Sequence, residues 1–277
     1  MDGEGLGLWL ALSSGFLTAL AHMLLKAGAD RLALRTTIGL TCLACAAPFC
    51  LFAAETPSPA LWLWLLAANG LHLVYQLVLV RSYDANDFTT AFPVARGVAP
   101  LGTALLGILL LGESPSLPTI AGAALVSFGI FAIVASRRVA RRALVLAIVT
   151  GLLTTAYTLV DARAIRLAPD ALTFIAWFFA LDGVFILTAF LALRGLALGP
   201  LVGEARPGIK AGFATLACFG SALWALRLAP VGAVAGLRET SILFALLFAR
   251  FRLGERVGLA GALGGSAIAA GAVLILL

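Results

Sequence analysis

The chain alternates between long apolar stretches and short polar interruptions. Ten of these stretches reach the roughly 20 residues that a helix needs to cross a bilayer. We predict spans at residues 6–26, 34–53, 60–81, 87–111, 118–135, 143–165, 170–193, 208–228, 231–252 and 257–276. The stretches lack the two-residue alternation of membrane barrel strands, and lipid offers the backbone no hydrogen bonds. Each span is therefore predicted to be helical.

The composition strengthens this prediction. The chain is 62% hydrophobic and only 12% charged, and its mean hydropathy is +1.08, whereas a soluble domain carries about 25% charged residues. We therefore expect an all-α integral membrane protein. The opening residues, MDGEGLG, lack the basic region of a secretory signal peptide, so the first span is expected to be retained.

Two apolar segments, one in each half of the chain, share a pattern. Residues 96–113 read RGVAPLGTALLGILLLGE and residues 238–255 read RETSILFALLFARFRLGE, so each begins with arginine and ends with LGE. The same offset aligns two pairs of glycines in the segments that follow, Gly122 with Gly264 and Gly129 with Gly271. A similarity over two consecutive segments indicates an internal repeat.

We place the repeats at residues 1–138 and 139–277, with five spans in each. Because five is odd, the second repeat inserts upside down, which gives the inverted repeats common in secondary transporters, arranged around a central cavity. The net charge is +6, and most basic residues, Arg35 among them, are assigned to loops after odd-numbered spans. The positive-inside rule places those loops in the cytoplasm and both termini outside. Since topology accounts for the basic charge, we expect no nucleic-acid partner.

Arg96 and Arg238 lie near the middle of spans 4 and 9. An arginine at the centre of a membrane helix costs about 2.5–3.5 kcal/mol, so each requires a partner or a function. Inversion brings both to the midplane from opposite sides, where they either form structural ion pairs or bind a substrate. Glu239 points about 100° away from Arg238 around the helix but could reach Arg96. The matching position in the first repeat is Gly97, so the site is not symmetric in charge.

Span 3 carries a row of polar residues at helical spacing, namely Asn69, His72, Gln76 and Tyr83, with Tyr75 adjacent. Polar groups buried in hydrocarbon need partners, so this row is predicted to face the bundle interior, where it lines a cavity or bonds to other helices. Span 1 has a polar row that includes His22, and the matching part of span 6 contains Tyr157. For span 2 we predict packing residues only.

These patterns define the candidate site. The candidates for substrate binding are Arg96, Arg238, Tyr75, Tyr83, Tyr157, His22, His72, Gln76, Trp177 and Trp224. The acids that could carry a coupling proton are Glu239, Asp161 and Asp182. The predicted hinges are Pro93, Pro100 and Gly236. Trp177 and Asp182 lie on different faces of span 7, and Trp224 is near enough to the end of span 8 to belong to an interfacial belt instead.

Other chemistry finds little support. No HExxH or GxSxG motif occurs, which argues against an intramembrane enzyme. The CxxC at residues 42–45 lies in an apolar span without nearby His, Asp or Glu, so we expect no metal and no cofactor. Glu113 and Glu255 are expected to cap helices or anchor loops. The glycine-rich spans 5 and 10 are expected to serve as scaffold or as the surface of a dimer, and the protein as a monomer or dimer.

The duplicated segment ending in LGE, followed by a glycine-rich span in each half, resembles the EamA branch of the drug/metabolite transporter superfamily. The resemblance covers essentially the whole chain. It implies two inverted five-helix repeats, with a cavity formed by spans 1, 3, 4, 6, 8 and 9. It also implies export of small organic metabolites across the inner membrane by alternating access.

The resemblance leaves the substrate open. Tyrosines and tryptophans near the expected cavity are similar to those of aromatic amino-acid exporters, so aromatic or neutral amino acids are the first expectation. A multidrug, nucleotide or sugar-type carrier of the same fold is the alternative. Arginines in spans 4 and 9 also resemble the basic residues of organellar sugar-phosphate carriers, but the lysine-arginine pairs of those proteins are absent here.

Overall fold

The structure, a computed structural model, describes residues 3–85, 96, 99–135, 141–196, 198–252 and 258–277. The helices with described bounds are α1 Gly3–Ala27, α2 Arg31–Phe52, α3 Pro59–Ala85, α4 Ala99–Leu111, α5 Leu117–Ala135, α6 Arg141–Leu167, α7 Ala171–Arg194, α8 Gly199–Gly203, α9 Ala205–Leu228, α10 Val231–Arg238, α11 Ser241–Arg252 and α12 Leu259–Leu276. Within these residues, eight helices are long and apolar enough to cross a membrane, and α4 is a shorter apolar helix. The predicted class, an all-helical integral membrane protein, is confirmed.

The glycines of spans 5 and 10 hold α5 and α12 together within one chain. A Cβ at Gly122 would lie 2.6 Å from the carbonyl oxygen of Gly271, and one at Gly129 would lie 2.6 Å from that of Gly264. Only glycine permits backbones to approach this closely. The order of these contacts makes the two helices antiparallel, as repeat-equivalent helices must be when the repeats are inverted. A dimer through these spans stays a prediction.

Helices α2 and α7 form a second antiparallel pair of repeat-equivalent elements. A Cβ at Gly183 would lie 2.6 Å from the carbonyl oxygen of Gly39, so these helices also pack closely. Each begins with an aspartate cap: Asp30 accepts the N–H of Ala33 at 3.0 Å, and Asp170 accepts that of Thr173 at 2.9 Å. The cap starts α2 before Arg35, which therefore lies inside the helix and is buried. Its assignment to a loop was wrong.

The predicted span 9 is not one continuous helix. It breaks at Glu239 and Thr240, between α10 and α11, where the Thr240 hydroxyl donates to the carbonyl of Leu237 at 2.7 Å. The predicted hinge Gly236 lies inside α10, before the break. The missing side chain leaves room for Ile275, because a Cβ at Gly236 would lie 2.6 Å from Cδ1 of that residue.

The two other predicted hinges lie in or near span 4. Pro100 occupies the first turn of α4, a position where a missing backbone N–H leaves no hydrogen bond unmade. Pro93 lies outside the described residues.

Two arginines, Arg166 at the end of α6 and Arg227 at the end of α9, join the ends of these helices reciprocally; we call them the arginine clasp. Arg166 donates to the carbonyls of Leu226 and Ala229 at 2.9 and 3.0 Å. Arg227 donates to the carbonyls at the other helix end, those of Ile165 at 2.7 Å and of Ala168 and Pro169 at 3.0 Å each. The clasp satisfies carbonyls that helix ends leave without an intrahelical partner.

Glu113, the acid of the first LGE, extends the clasp to α4 and α10. Its carboxylate pairs with Arg166 at 2.6 Å and accepts the backbone N–H of Val231 at 2.9 Å. Val231 begins α10, so the predicted capping and anchoring role of Glu113 is confirmed. Glu255 lies outside the described residues.

Candidate functional site

A central cavity of about 100 Å³ lies between the two halves of the chain. It is lined by Thr18, Ala21, His22, Leu25, Arg35, Ile38, His72, Tyr75, Gln76, Leu79, Arg96, Tyr157, Phe178, Phe179, Asp182, Thr215, Cys218, Phe219 and Arg238. Helices α2 and α7 thus contribute side chains as well as the spans that the resemblance implied. The cavity combines an aromatic wall with several charged and amide groups, the usual character of a small-molecule site.

Seven of the ten residues predicted for substrate binding line this cavity: Arg96, Arg238, Tyr75, Tyr157, His22, His72 and Gln76. Two predicted tryptophans do not. Trp177 packs against Trp62 and donates its indole N–H to the carbonyl of Glu55 at 3.0 Å, and Trp224 is 37% exposed on the outside of α9. Tyr83 lies in α3, but its side chain is outside the described part of the chain.

Arg96 is neutralised by Glu239 of the other repeat. Its Nε donates to the carboxylate at 2.7 Å, and both side chains are almost fully buried. Glu239 is the C-cap residue of α10, where span 9 breaks, and its side chain points away from that of Arg238 and toward the other repeat. The sequence analysis predicted that Glu239 could reach Arg96. The observed ion pair favours a structural role for Arg96 over substrate binding.

A second network joins α2, α3 and α7. Arg35 donates to one oxygen of Asp182 at 2.8 Å, and the side-chain amide of Gln76 donates to the other at 2.6 Å. The expectation that span 2 offers packing residues alone was wrong, since Arg35 lines the cavity. Arg35 was missed although it lies inside the predicted span, because it stands so close to the start of that span that it was counted with the loop.

His72 and Asp161 form a third contact between the repeats, 2.9 Å from Nε2 to the carboxylate. Asp161 is fully buried behind the histidine and does not itself line the cavity. The imidazole packs among aromatic rings, with centroid distances of 4.0 Å to Tyr157, 4.9 Å to Phe178 and 5.1 Å to Phe219. The phenylalanines of this wall were missed because apolar side chains in an apolar span carry no distinguishing pattern.

Arg238 differs from the other cavity arginines. It is 6% exposed, and no described carboxylate lies within ion-pair distance of it. Its Nε has no hydrogen-bond partner among the described residues. Its guanidinium carbon lies 5.4 Å from the ring centroid of Phe219, a cation–π distance. As the last residue of α10, it also sits at the negative end of the helix dipole.

The three charged pairs at the cavity share one arrangement of sign. In Arg35–Asp182, His72–Asp161 and Arg96–Glu239, the first repeat provides the basic residue and the second provides the acid. At the helix ends the sign is reversed, since Glu113 and Asp30 of the first repeat pair with Arg166 and Arg194 of the second. Arg238 belongs to the second repeat and has no acid opposite it in the described part of the first. Complementary charges of this kind fix which half faces which.

No group of three or more His, Cys, Asp or Glu close enough to hold a metal ion occurs among the described residues. The four cysteines are free, and of the CxxC pair Cys42 is buried while Cys45 is exposed. The two side chains therefore lie on different faces of α2, one buried and one exposed.

Comparisons with known proteins identify the family and the fold. A model of the EamA-like transporter family matches twice, at residues 5–135 and 141–277. A comparison with curated proteins finds no match. Among solved structures, 28 chains match. One of them, described as "Crystal structure of protein", shares 17% sequence identity at a TM-score of 0.73, over 98% of this chain and 95% of its own. At that identity the likeness concerns the fold alone.

Proposed function

The chain belongs to the EamA-like transporter family and is a multi-pass membrane transporter of small molecules; we propose that it exports small organic carboxylates across the inner membrane. Aromatic and neutral amino acids, the class expected from the sequence, fall within this group. Arg238 binds the substrate carboxylate, and the rings of Tyr75, Tyr157 and Phe219 contact its apolar part.

One observation carries the proposal. Three arginines line the cavity, but only Arg238 has no carboxylate partner among the described residues. A buried guanidinium without an acceptor is costly, because the Phe219 ring and the end of α10 replace only part of its lost interactions with water. A substrate carboxylate supplies the missing acceptor in a charge-assisted hydrogen bond. The binding energy of the substrate then includes relief of that cost.

The positions of the charged contacts support transport by alternating access. The three basic–acidic pairs connect the two repeats, so rocking of the halves strains or re-forms them as the cavity changes the side on which it opens. The arginine clasp ties together the ends of α6 and α9, on the side that the charge distribution places outside. We propose that release of substrate to the outside requires these carbonyl contacts to separate.

We further propose that a proton couples to transport through His72 and Asp161. Asp182 and Glu239 each pair with an arginine, so a proton added to either acid would leave a buried arginine without its counter-charge. Asp161 has a histidine as its partner, and its Oδ1 has no hydrogen-bond partner in the described part of the chain. A proton can therefore be gained or lost at this pair without leaving an arginine unpaired.

Proteoliposomes with an imposed pH gradient test the coupling. The gradient should drive uphill transport by the wild type and not by Asp161→Asn. Exchange of labelled for unlabelled substrate needs no net proton movement, so the variant should retain it. Uphill transport by Asp161→Asn, or no response of the wild type to the gradient, would exclude this role.

Counterflow tests the transport proposal itself. Liposomes containing purified protein and loaded with unlabelled carboxylates should accumulate the labelled compounds, with a flux that saturates at modest concentration. Protein-free liposomes are the control. A flux that rises linearly would indicate a channel, and counterflow confined to solutes without a carboxylate, such as nucleosides or amines, would contradict the assignment of substrate class.

A further inference from the structure

Asp182, which lines the cavity, and Glu239, which pairs with a lining arginine, are already bonded, and this limits the substrates that the cavity can bind. This inference rests on the proposed function and narrows it. Asp182 receives hydrogen bonds from Arg35 and Gln76, one on each carboxylate oxygen. Glu239 is bonded to Arg96. An amino acid carries an ammonium group as well as a carboxylate, and no described carboxylate that lines the cavity is left to neutralise it.

Gln76 offers a neutral acceptor in place of an acid. Its side-chain oxygen is buried and has no hydrogen-bond partner among the described residues. Gln76 and Arg35 bind the same carboxylate, so a cation placed at the Gln76 oxygen would lie beside an Asp182–Arg35 pair whose charges already offset each other. A buried ammonium group needs a counter-charge of its own. A hydroxyl group can donate to the same oxygen without one.

The remaining contacts favour a flat ring. Tyr157, Phe178 and Phe219 surround His72 with centroid distances between 4.0 and 5.1 Å. Rings at these distances provide faces and edges on which another ring packs. Phe219 lies beside Arg238 as well, so the aromatic wall continues to the unpaired guanidinium.

We propose that the preferred substrate is an aromatic monocarboxylate anion whose polar substituent is a hydroxyl group and not an ammonium group. Arg238 binds the carboxylate, the aromatic wall holds the ring, and the Gln76 oxygen accepts the hydroxyl hydrogen. The class is that of aromatic hydroxy acids, in preference to the aromatic amino acids of the same skeleton.

Three compounds with the same ring separate the charge states. 3-Phenyllactate and phenylalanine differ only in a hydroxyl in place of an ammonium group, and phenethylamine has the ammonium without the carboxylate. In counterflow with wild-type protein, kcat/KM for phenyllactate should exceed that for phenylalanine by about tenfold or more, the effect of one ammonium left without a partner. Phenethylamine should not be carried.

Variants connect the preference to Arg238. Arg238→Gln should abolish the preference for phenyllactate, and Arg238→Lys, which keeps the charge, should retain it at lower affinity. Lys210→Gln removes an exposed positive charge from α9 and should change nothing. Circular dichroism and gel filtration of each variant show whether it is folded.

The outcomes distinguish the two proposals. Phenylalanine carried as well as or better than phenyllactate overturns the hydroxy-acid preference and leaves carboxylate transport standing. A preference that survives in folded Arg238→Gln also overturns it. If neither these carboxylates nor any other carboxylate shows counterflow, the proposed function is overturned as well.

Discussion

Arg96 and Arg238 occupy equivalent positions in the two repeats, yet their surroundings are opposite. Arg96 is joined to Glu239 at 2.7 Å, across the boundary between the halves. Arg238 lies beside the Phe219 ring, and its Nε lacks an acceptor among the described residues. One substitution of the repeat accounts for the difference, because the residue after the arginine is Gly97 in the first half and Glu239 in the second.

The comparison teaches that duplication of a charged position does not duplicate its role. Glu239 follows Arg238 in the chain but neutralises Arg96, since consecutive residues of a helix point about 100° apart. One arginine thus connects the halves, and we propose that the other binds a ligand. Substitutions can test this division of roles, and we order them by the size of the expected effect.

Separating the two arginines by mutation should give the largest effect. Arg238→Gln removes charge-assisted hydrogen bonds to the substrate, and kcat/KM for carboxylates should fall roughly 10- to 150-fold. The double variant Arg96→Gln/Glu239→Gln removes an ion pair as a unit and should change kcat/KM by less than about threefold, because both buried charges disappear together. Counterflow in proteoliposomes measures both. An equal loss in the two proteins would mean that the arginines share one role.

Freeing Arg96 should turn it into a second anion site. Glu239→Gln leaves the Arg96 guanidinium without its carboxylate, so the cavity gains an uncompensated positive charge. Relative to phenyllactate, a dicarboxylate with the same ring, benzylmalonate, should gain about tenfold in kcat/KM. Glu239→Asp keeps the charge and serves as the control. No gain in a folded Glu239→Gln protein would show that Arg96 faces away from the substrate.

An arginine of the clasp shows how much stability is lost when a purely structural arginine is replaced, and the cavity arginines can be compared with it. Arg227→Gln removes the donor to three carbonyls at and just beyond the end of α6 and should lower the free energy of unfolding by about 1–3 kcal/mol. Arg96→Gln should likewise reduce stability, whereas Arg238→Gln should not. Unfolding of the purified proteins in mixed micelles measures this. A loss of stability in Arg238→Gln would mean that Arg238 is a structural arginine like Arg96, and the proposed difference between the two would be wrong.

The ring beside Arg238 should have the smallest effect. Phe219→Leu removes a cation–π contact that contributes about 0.5–1 kcal/mol, so KM for carboxylates should rise roughly two- to fivefold. Phe213→Leu is the matched control, because Phe213 lies on the same helix and is 58% exposed. Equal effects of the two substitutions would mean that Phe219 does not support the guanidinium.

Much of the fold could be predicted because hydrophobicity and repetition are local properties. Apolar stretches of membrane length predicted the helices, and the glycines aligned by the repeat pack α5 against α12. Broken helices were harder to predict. Nothing in the run around Thr240 distinguishes a turn from a continuous helix, since threonine hydroxyls also bond to carbonyls three or four residues earlier inside the unbroken helices of this protein.

The candidate site was predictable where polar residues stand out against an apolar background. His72, Gln76 and Arg238 belong to that group, and all three line the cavity. Trp177 and Trp224 do not line the cavity, and the sequence could not decide this because tryptophan is common both in cavities and at the ends of membrane helices. Arg35 was missed for the opposite reason, since a basic residue near a span end is usually part of a loop.

The sequence by itself determined that this chain is a duplicated, helical membrane protein with an arginine near the middle of two equivalent segments. Lipid forces apolar segments to form helices, so that conclusion requires no knowledge of contacts between them. Only the tertiary structure decided which arginine has a partner. Pairing depends on distances of a few ångströms between residues far apart in the chain, as between Arg96 and Glu239. The two arginines are equivalent in the repeat and acquire different roles when the halves pack together.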